Sequence, residues 1–245
     1  MLSRPAWVQV ASTATLQFGW DDAVGGVERF AWSTASAQAV SAALRMAPRG
    51  RMALALGLFE WIVWRMDGLH DRTEPLTVLE AGWCATADPR YLRFFELSRS
   101  AWIGPVEGPL WMGMTWLHHA LSGGVDRPRD LYDGIDLLTR LSLHVQPVPA
   151  ALIGWLAPVL DRLVTECPAV PDDPLADLFG RDPASRMGPW VSRHWLDPMT
   201  PVHAQDGYQF LSQLLAQARA DANPFLAGWD DLADAGFSGT PDVPR

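Results

Sequence analysis

The chain has 245 residues, 49% of them apolar and 19% charged, with a net charge of −9, a composition that excludes a disordered polymer and a chain too short to bury a core. All 19 basic residues are arginines, which excludes Schiff-base, Walker-type and kinase-type lysine chemistry. Residues 1–129 hold 12 acids and 12 arginines while residues 130–245 hold 16 acids and 7 arginines, so the second half carries the whole negative charge and nucleic acid is a poor partner.

The N-terminal stretch "MLSRPAWVQVASTATLQF" lacks an unbroken apolar segment, so no signal peptide is read and a cytoplasmic location is expected. "WVQVASTATLQFGW" alternates, the one strand signal in the chain, and predicts a short hairpin or an irregular arm. Residues 27–47 then read as a helix with Phe30, Thr34, Ala37, Val40 and Leu44 on one side.

The run "MALALGLFEWIVWRM" at 52–66 is bracketed by Arg51 and Arg65, and is shorter than the roughly 20 apolar residues of a spanning helix. Apolar on nearly all sides, it predicts the central helix of a core. Glu60 in its middle is then a buried-charge candidate. It is read first as the partner of an arginine from a neighbouring helix, next as a catalytic or ligand-binding carboxylate, and last as an exposed residue on a narrow polar stripe.

Helices are predicted at 75–86 and 89–101, then at 109–121 with Leu110, Met114, Leu117 and Leu121 inward. The segment "GPVEGP" at 104–109 reads as a tight inter-helix turn, and "PVEGPLW" as a rigid loop presenting Glu107 beside Trp111 and Met112. Further helices follow at 130–145, through Leu131, Ile135, Leu138, Leu141 and Val145, and at 150–165, through Leu152, Trp155, Leu156, Val159 and Leu163. A last one at 207–219 uses Tyr208, Leu211, Leu215 and Ala218. Asp88, Asp173, Asp182, Asp197 and Asn223 each precede a proline and are read as helix starts. Residues 166–206 read as a loosely packed acidic flank, and 235–245 as a frayed tail. These elements predict an all-α fold. They suggest a single domain over 1–245, an irregular bundle of antiparallel helix pairs with a solenoid as the alternative.

Chemistry-bearing patterns are sparse. Asp67/His70, His194/Asp197 and His203/Asp206 stand at i, i+3, but neither a zinc-protease nor a di-iron spacing occurs, so no metal or other cofactor is expected. Of the adjacent His118 and His119, one is expected inside and one outside. Cys84 and Cys167 leave one disulfide open, with two reduced buried thiols the expectation. "GFSGT" lacks the last glycine of a nucleophile elbow. The single asparagine, Asn223, precedes Pro224 and forms no glycosylation sequon.

The candidate interface lies in the acidic half, where Trp190, Trp195 and Trp229 stand near Asp182, Asp197, Asp230 and Asp231 in sequence, and the pairs Asp172/Asp173 and Asp230/Asp231 supply exposed charge. Aromatics rimmed by acids suit an arginine- or lysine-rich partner. The expectation is therefore a non-catalytic protein that binds another protein, such as an immunity-type inhibitor of a basic bacterial toxin or effector. The alternatives are a small all-α enzyme using Glu60 and a histidine, or a helical regulator with a tryptophan-lined ligand pocket.

Overall fold

In a computed structural model, residues 2–10, 16–23, 30–123, 127–170 and 186–237 are described. Among them the chain is all-helical, with eight α-helices and no strand. The helices are α1 (Thr34–Ala43), α2 (Pro48–Met66), α3 (Glu74–Ala85), α4 (Gly104–Gly123), α5 (Pro128–Val145), α6 (Pro149–Glu166), α7 (Ala204–Ala220) and α8 (Trp229–Asp234). No helix among the described residues is long and apolar enough to cross a membrane.

Helix α2 is the axis of the fold. Every residue from Pro48 to Met66 is buried except Arg51, because α3, α4, α5 and α6 all pack against it. A fully buried leucine, isoleucine or phenylalanine contributes about 1.5–3 kcal/mol, so a helix buried on all sides is an anchor that its neighbours share. The predicted inward faces of the helices at 109–121, 130–145 and 150–165 are all buried. In α7, Leu211, Leu215 and Ala218 are buried and Tyr208 is half-buried. A solenoid does not describe this packing, since α1 lies against α5 and α6 rather than against its sequence neighbours alone.

Helix α1 differs from its prediction. It begins at Thr34, capped by the Ser33 hydroxyl, and its buried face is Ala35, Ser36, Ala39, Ala42 and Ala43. Leu44 is 56% exposed. The small side chains allow close approach to α5 and α6, which outweighs the larger area that Leu44 would bury in the predicted orientation. The expected helix at 89–101 is absent. Two 3₁₀ turns, Pro89–Tyr91 and Arg99–Ala101, flank an extended stretch. There, backbone bonds from Ala227 to Tyr91 at 2.8 Å and from Arg93 to Phe225 at 2.9 Å replace helical ones.

The turn expected at 104–109 is instead the first turn of α4, with Pro109 inside the helix. Pro105 and Pro109 lack an N–H, but a first helical turn has no intrahelical acceptors for its N–H groups, so only Pro109 removes a bond. Gly104 takes φ of +86°, a conformation that favours glycine. A Cβ on Gly108 would meet the Trp20 indole at 2.3 Å, so the glycine is where the N-terminal arm crosses the helix. Asp22 completes that crossing by accepting the Gly104 N–H at 2.8 Å. Glu107 is not a free loop residue, because Arg72 grips it with Nε–Oε1 and Nη2–Oε2 contacts of 3.2 and 3.0 Å.

The proline-linked helix starts fare unevenly. Asp88 caps a 3₁₀ turn. Asp197 and Asn223 accept from the backbone N–H two residues on, at 3.0 and 2.9 Å, and close turns rather than opening helices. Asp173 and Asp182 lie outside the described residues. The N-terminal arm is irregular where described, with Trp7 and Val8 buried.

Candidate functional site

Glu60 sits at mid-length of α2 with 0% exposure. Its partner is Arg193, in the 3₁₀ turn Arg193–Leu196 rather than in a neighbouring α-helix. Arg193 Nε donates to Oε1 at 2.7 Å, and its Nη2 donates to Oε2. Two indoles complete the set: Trp64 donates to Oε2 and Trp83 to Oε1, both at 3.2 Å. Trp64 follows Glu60 by one helical turn, while Trp83 comes from α3. Arg193 Nη2 also donates to the Ser3 carbonyl at 2.8 Å, which ties the N-terminal arm to the same point.

Each Glu60 oxygen thus receives two donors, and none of them is a histidine. A carboxylate with its acceptor sites filled and no exposure can hold segments together, but has no lone pair facing a substrate. The geometry gives the Glu60–histidine enzyme no support.

Of the flank expected at 166–206, residues 171–185 lie outside the described residues, and 187–196 are not loosely packed. Met187, Val191, Ser192, Arg193, Trp195 and Leu196 are buried. Arginines hold this segment through its backbone carbonyls. Arg162 of α6 donates to Asp197 O at 2.6 Å and Pro198 O at 2.8 Å. Arg49 of α2 donates to Gly188 O and, at 2.9 Å, to Thr86 O. Burial lowers the Arg49 pKa to about 10, and Asp88 opposes the shift. The planar fork of arginine can bond several carbonyls at once, which a lysine ammonium on a single stem does less well.

The candidate interface residues therefore separate. Trp195 is 3% exposed and lies in the core, so it cannot be a surface contact. Trp190 is half-buried, with the Arg49 guanidinium carbon 3.7 Å from its ring centre. Asp172 and Asp173 lie outside the described residues. Trp229, Asp230 and Asp231 remain at the surface, and Trp229 is 55% exposed. They stand on α8, where the Asp231 carboxylate accepts the Gly228 N–H at 3.0 Å. Arg219 lies 4.2 Å from the Trp229 ring centre, and Arg93 reaches Asp231 at 3.8 Å.

Other candidates are quickly placed. His118 is half-buried between Phe94 and Phe95, while His119 faces outward near Asp130 at 3.6 Å. Cys84 and Cys167 are free and buried, and burial pushes both thiols up to about 12, which removes the thiolate that a nucleophile needs. Among the described residues no three of His, Cys, Asp and Glu converge as metal ligands would.

The sequence reading missed Trp64 and Arg193. Trp64 was legible, since i and i+4 share a helix face. Arg193 was not, because 133 residues separate it from Glu60 and nothing local marks it. No protein-family model matches the chain, and no curated protein and no solved structure is significantly similar to it.

Proposed function

We propose that the protein works by binding another protein, and that its contact surface is the acidic C-terminal end around α8. The observation behind this reading is Trp229, 55% exposed and followed by the exposed Asp230, Asp231 and Asp234. A large aromatic left in water beside acids suits a partner that offers arginine or lysine side chains, which gain both ring contact and charge. Arg93 and Arg219 neutralise part of this surface, so Asp230 and Asp234 carry the attraction. The partner class is a basic protein. Masking of a basic toxin or effector, in the manner of an immunity protein, is the specific form we infer.

The test is affinity capture from the source cells with the wild-type chain and with Trp229→Ala/Asp230→Asn/Asp234→Asn side by side. A basic protein held by the first and lost by the second supports the reading. Capture that is equal for both chains, or only of acidic proteins, overturns it.

A further inference from the structure

A cleft of about 490 Å³ runs between the segment Phe95–Arg99 and one face of α4. Trp111, Thr115 and His118 stand on that face at i, i+4 and i+7, and the volume suits a small organic molecule. Several of its polar groups are already engaged. The Trp111 indole donates to Leu97 O, and the Thr115 hydroxyl donates to Trp111 O, both at 2.8 Å. Others are open. Arg99 Nη2 donates to Asp22 O and its guanidinium carbon lies 5.0 Å from the Trp111 ring centre, but its Nε and Nη1 meet no acceptor among the described residues. Neither nitrogen of His118 has a hydrogen-bond partner among them, although Phe95 packs on the ring at 4.4 Å. Glu96 is exposed and makes no ion pair among them.

One cation and one anion thus face a cleft walled by Phe95, Leu97 and Trp111. A simple anion would leave Glu96 opposed, and a simple cation would leave Arg99 opposed. We propose that this cleft binds a zwitterionic amino acid with an apolar, preferentially aromatic, side chain. Its carboxylate meets Arg99, its ammonium meets Glu96, and its side chain lies between Phe95 and Trp111 with His118 as a further hydrogen-bonding group. This inference is independent of the acidic surface at α8.

Calorimetric titration of the full chain tests it, with L-phenylalanine, N-acetyl-L-phenylalanine and phenethylamine as probes. L-Phenylalanine should bind saturably, and each probe lacking one charge should bind at least about tenfold more weakly. Glu96→Gln should weaken L-phenylalanine about tenfold and should strengthen the N-acetyl probe, an anion that Glu96 opposes. Since Arg99 also holds the arm, the decisive variant is Thr115→Trp, which fills the cleft from an exposed helix position. It should abolish binding with the melting temperature unchanged. No saturable heat for L-phenylalanine up to about 10 mM, equal affinity for the N-acetyl probe, or binding that survives Thr115→Trp would each overturn the proposal.

Discussion

At Glu60, a carboxylate, an arginine and two indoles close on one another, all of them buried. Beside α4, Glu96, Arg99 and Trp111 bring the same side-chain types together around a cleft, with Glu96 exposed and the other two half-buried. The difference is one of saturation. At Glu60 the donors converge on one carboxylate from α2, α3 and the Arg193–Leu196 turn, so the set joins distant segments. Beside α4, Arg99 stacks on a ring rather than meeting Glu96, and both keep unused bonding capacity. The closed set is suited to specifying the fold, and the open one to meeting a ligand.

The largest way to break this comparison is Glu60→Ala. It strands a buried guanidinium and two indole N–H groups, and should cost about 3–5 kcal/mol in denaturant unfolding. Glu60→Gln keeps the shape and some of the bonds, so it should cost less. An unchanged midpoint for Glu60→Ala would mean that the pair does not hold the fold.

The second effect is kinetic. Cys84 follows Trp83, one of the Glu60 donors, and both thiols are buried and pushed up to about 12. At about pH 8, native labelling by an aromatic disulfide should run at least about a hundredfold slower than in denaturant. Glu60→Ala should speed the labelling of Cys84, because Trp83 loses its acceptor. Fast labelling of the wild-type chain would show that this side of the core opens.

The closed region was half legible in sequence. An apolar run longer than one amphipathic stripe, with one carboxylate in it, marks a buried helix whose charge needs a partner. The identity of that partner depends on tertiary topology, and Arg193 sits in a segment rich in proline and acid that reads as solvated. Trp195 misled for the same reason, since a tryptophan beside aspartates looks like a surface aromatic until the carbonyl-binding Arg162 and the indole of Trp155 draw its segment inward. The cleft was partly written as well, because Trp111, Thr115 and His118 stand at i, i+4 and i+7 on one helix face. Its other wall was read as helix, since nothing local reveals that Tyr91 and Arg93 bond across to Phe225 and Ala227.

The third effect contrasts the two regions directly. Glu96→Gln and Thr115→Ala should each change stability by no more than about 0.5 kcal/mol, because both side chains are exposed. A loss comparable with that of Glu60→Ala would mean that the cleft is a structural element, and the contrast between the regions would fail.

The smallest effect is the acid side of the stability profile. Burial, helped by His119, holds the His118 pKa below its ordinary value of 6.5, and burial does the same at His70. With the folded value depressed, the unfolded chain takes up more protons once the pH drops below that ordinary value. The contribution of each neutral imidazole is therefore complete above about pH 6.5 and is lost as the pH falls through the folded value. Melting temperatures from about pH 8 down to about pH 5.5 should be flat at first and then decline. His118→Gln and His70→Gln should each make that decline shallower. Because His118 also faces the cleft, bound L-phenylalanine should change the slope in the wild-type chain but not in Thr115→Trp. An acid decline that is identical in all of these chains would place its origin in other groups and remove His118 from the account of the cleft.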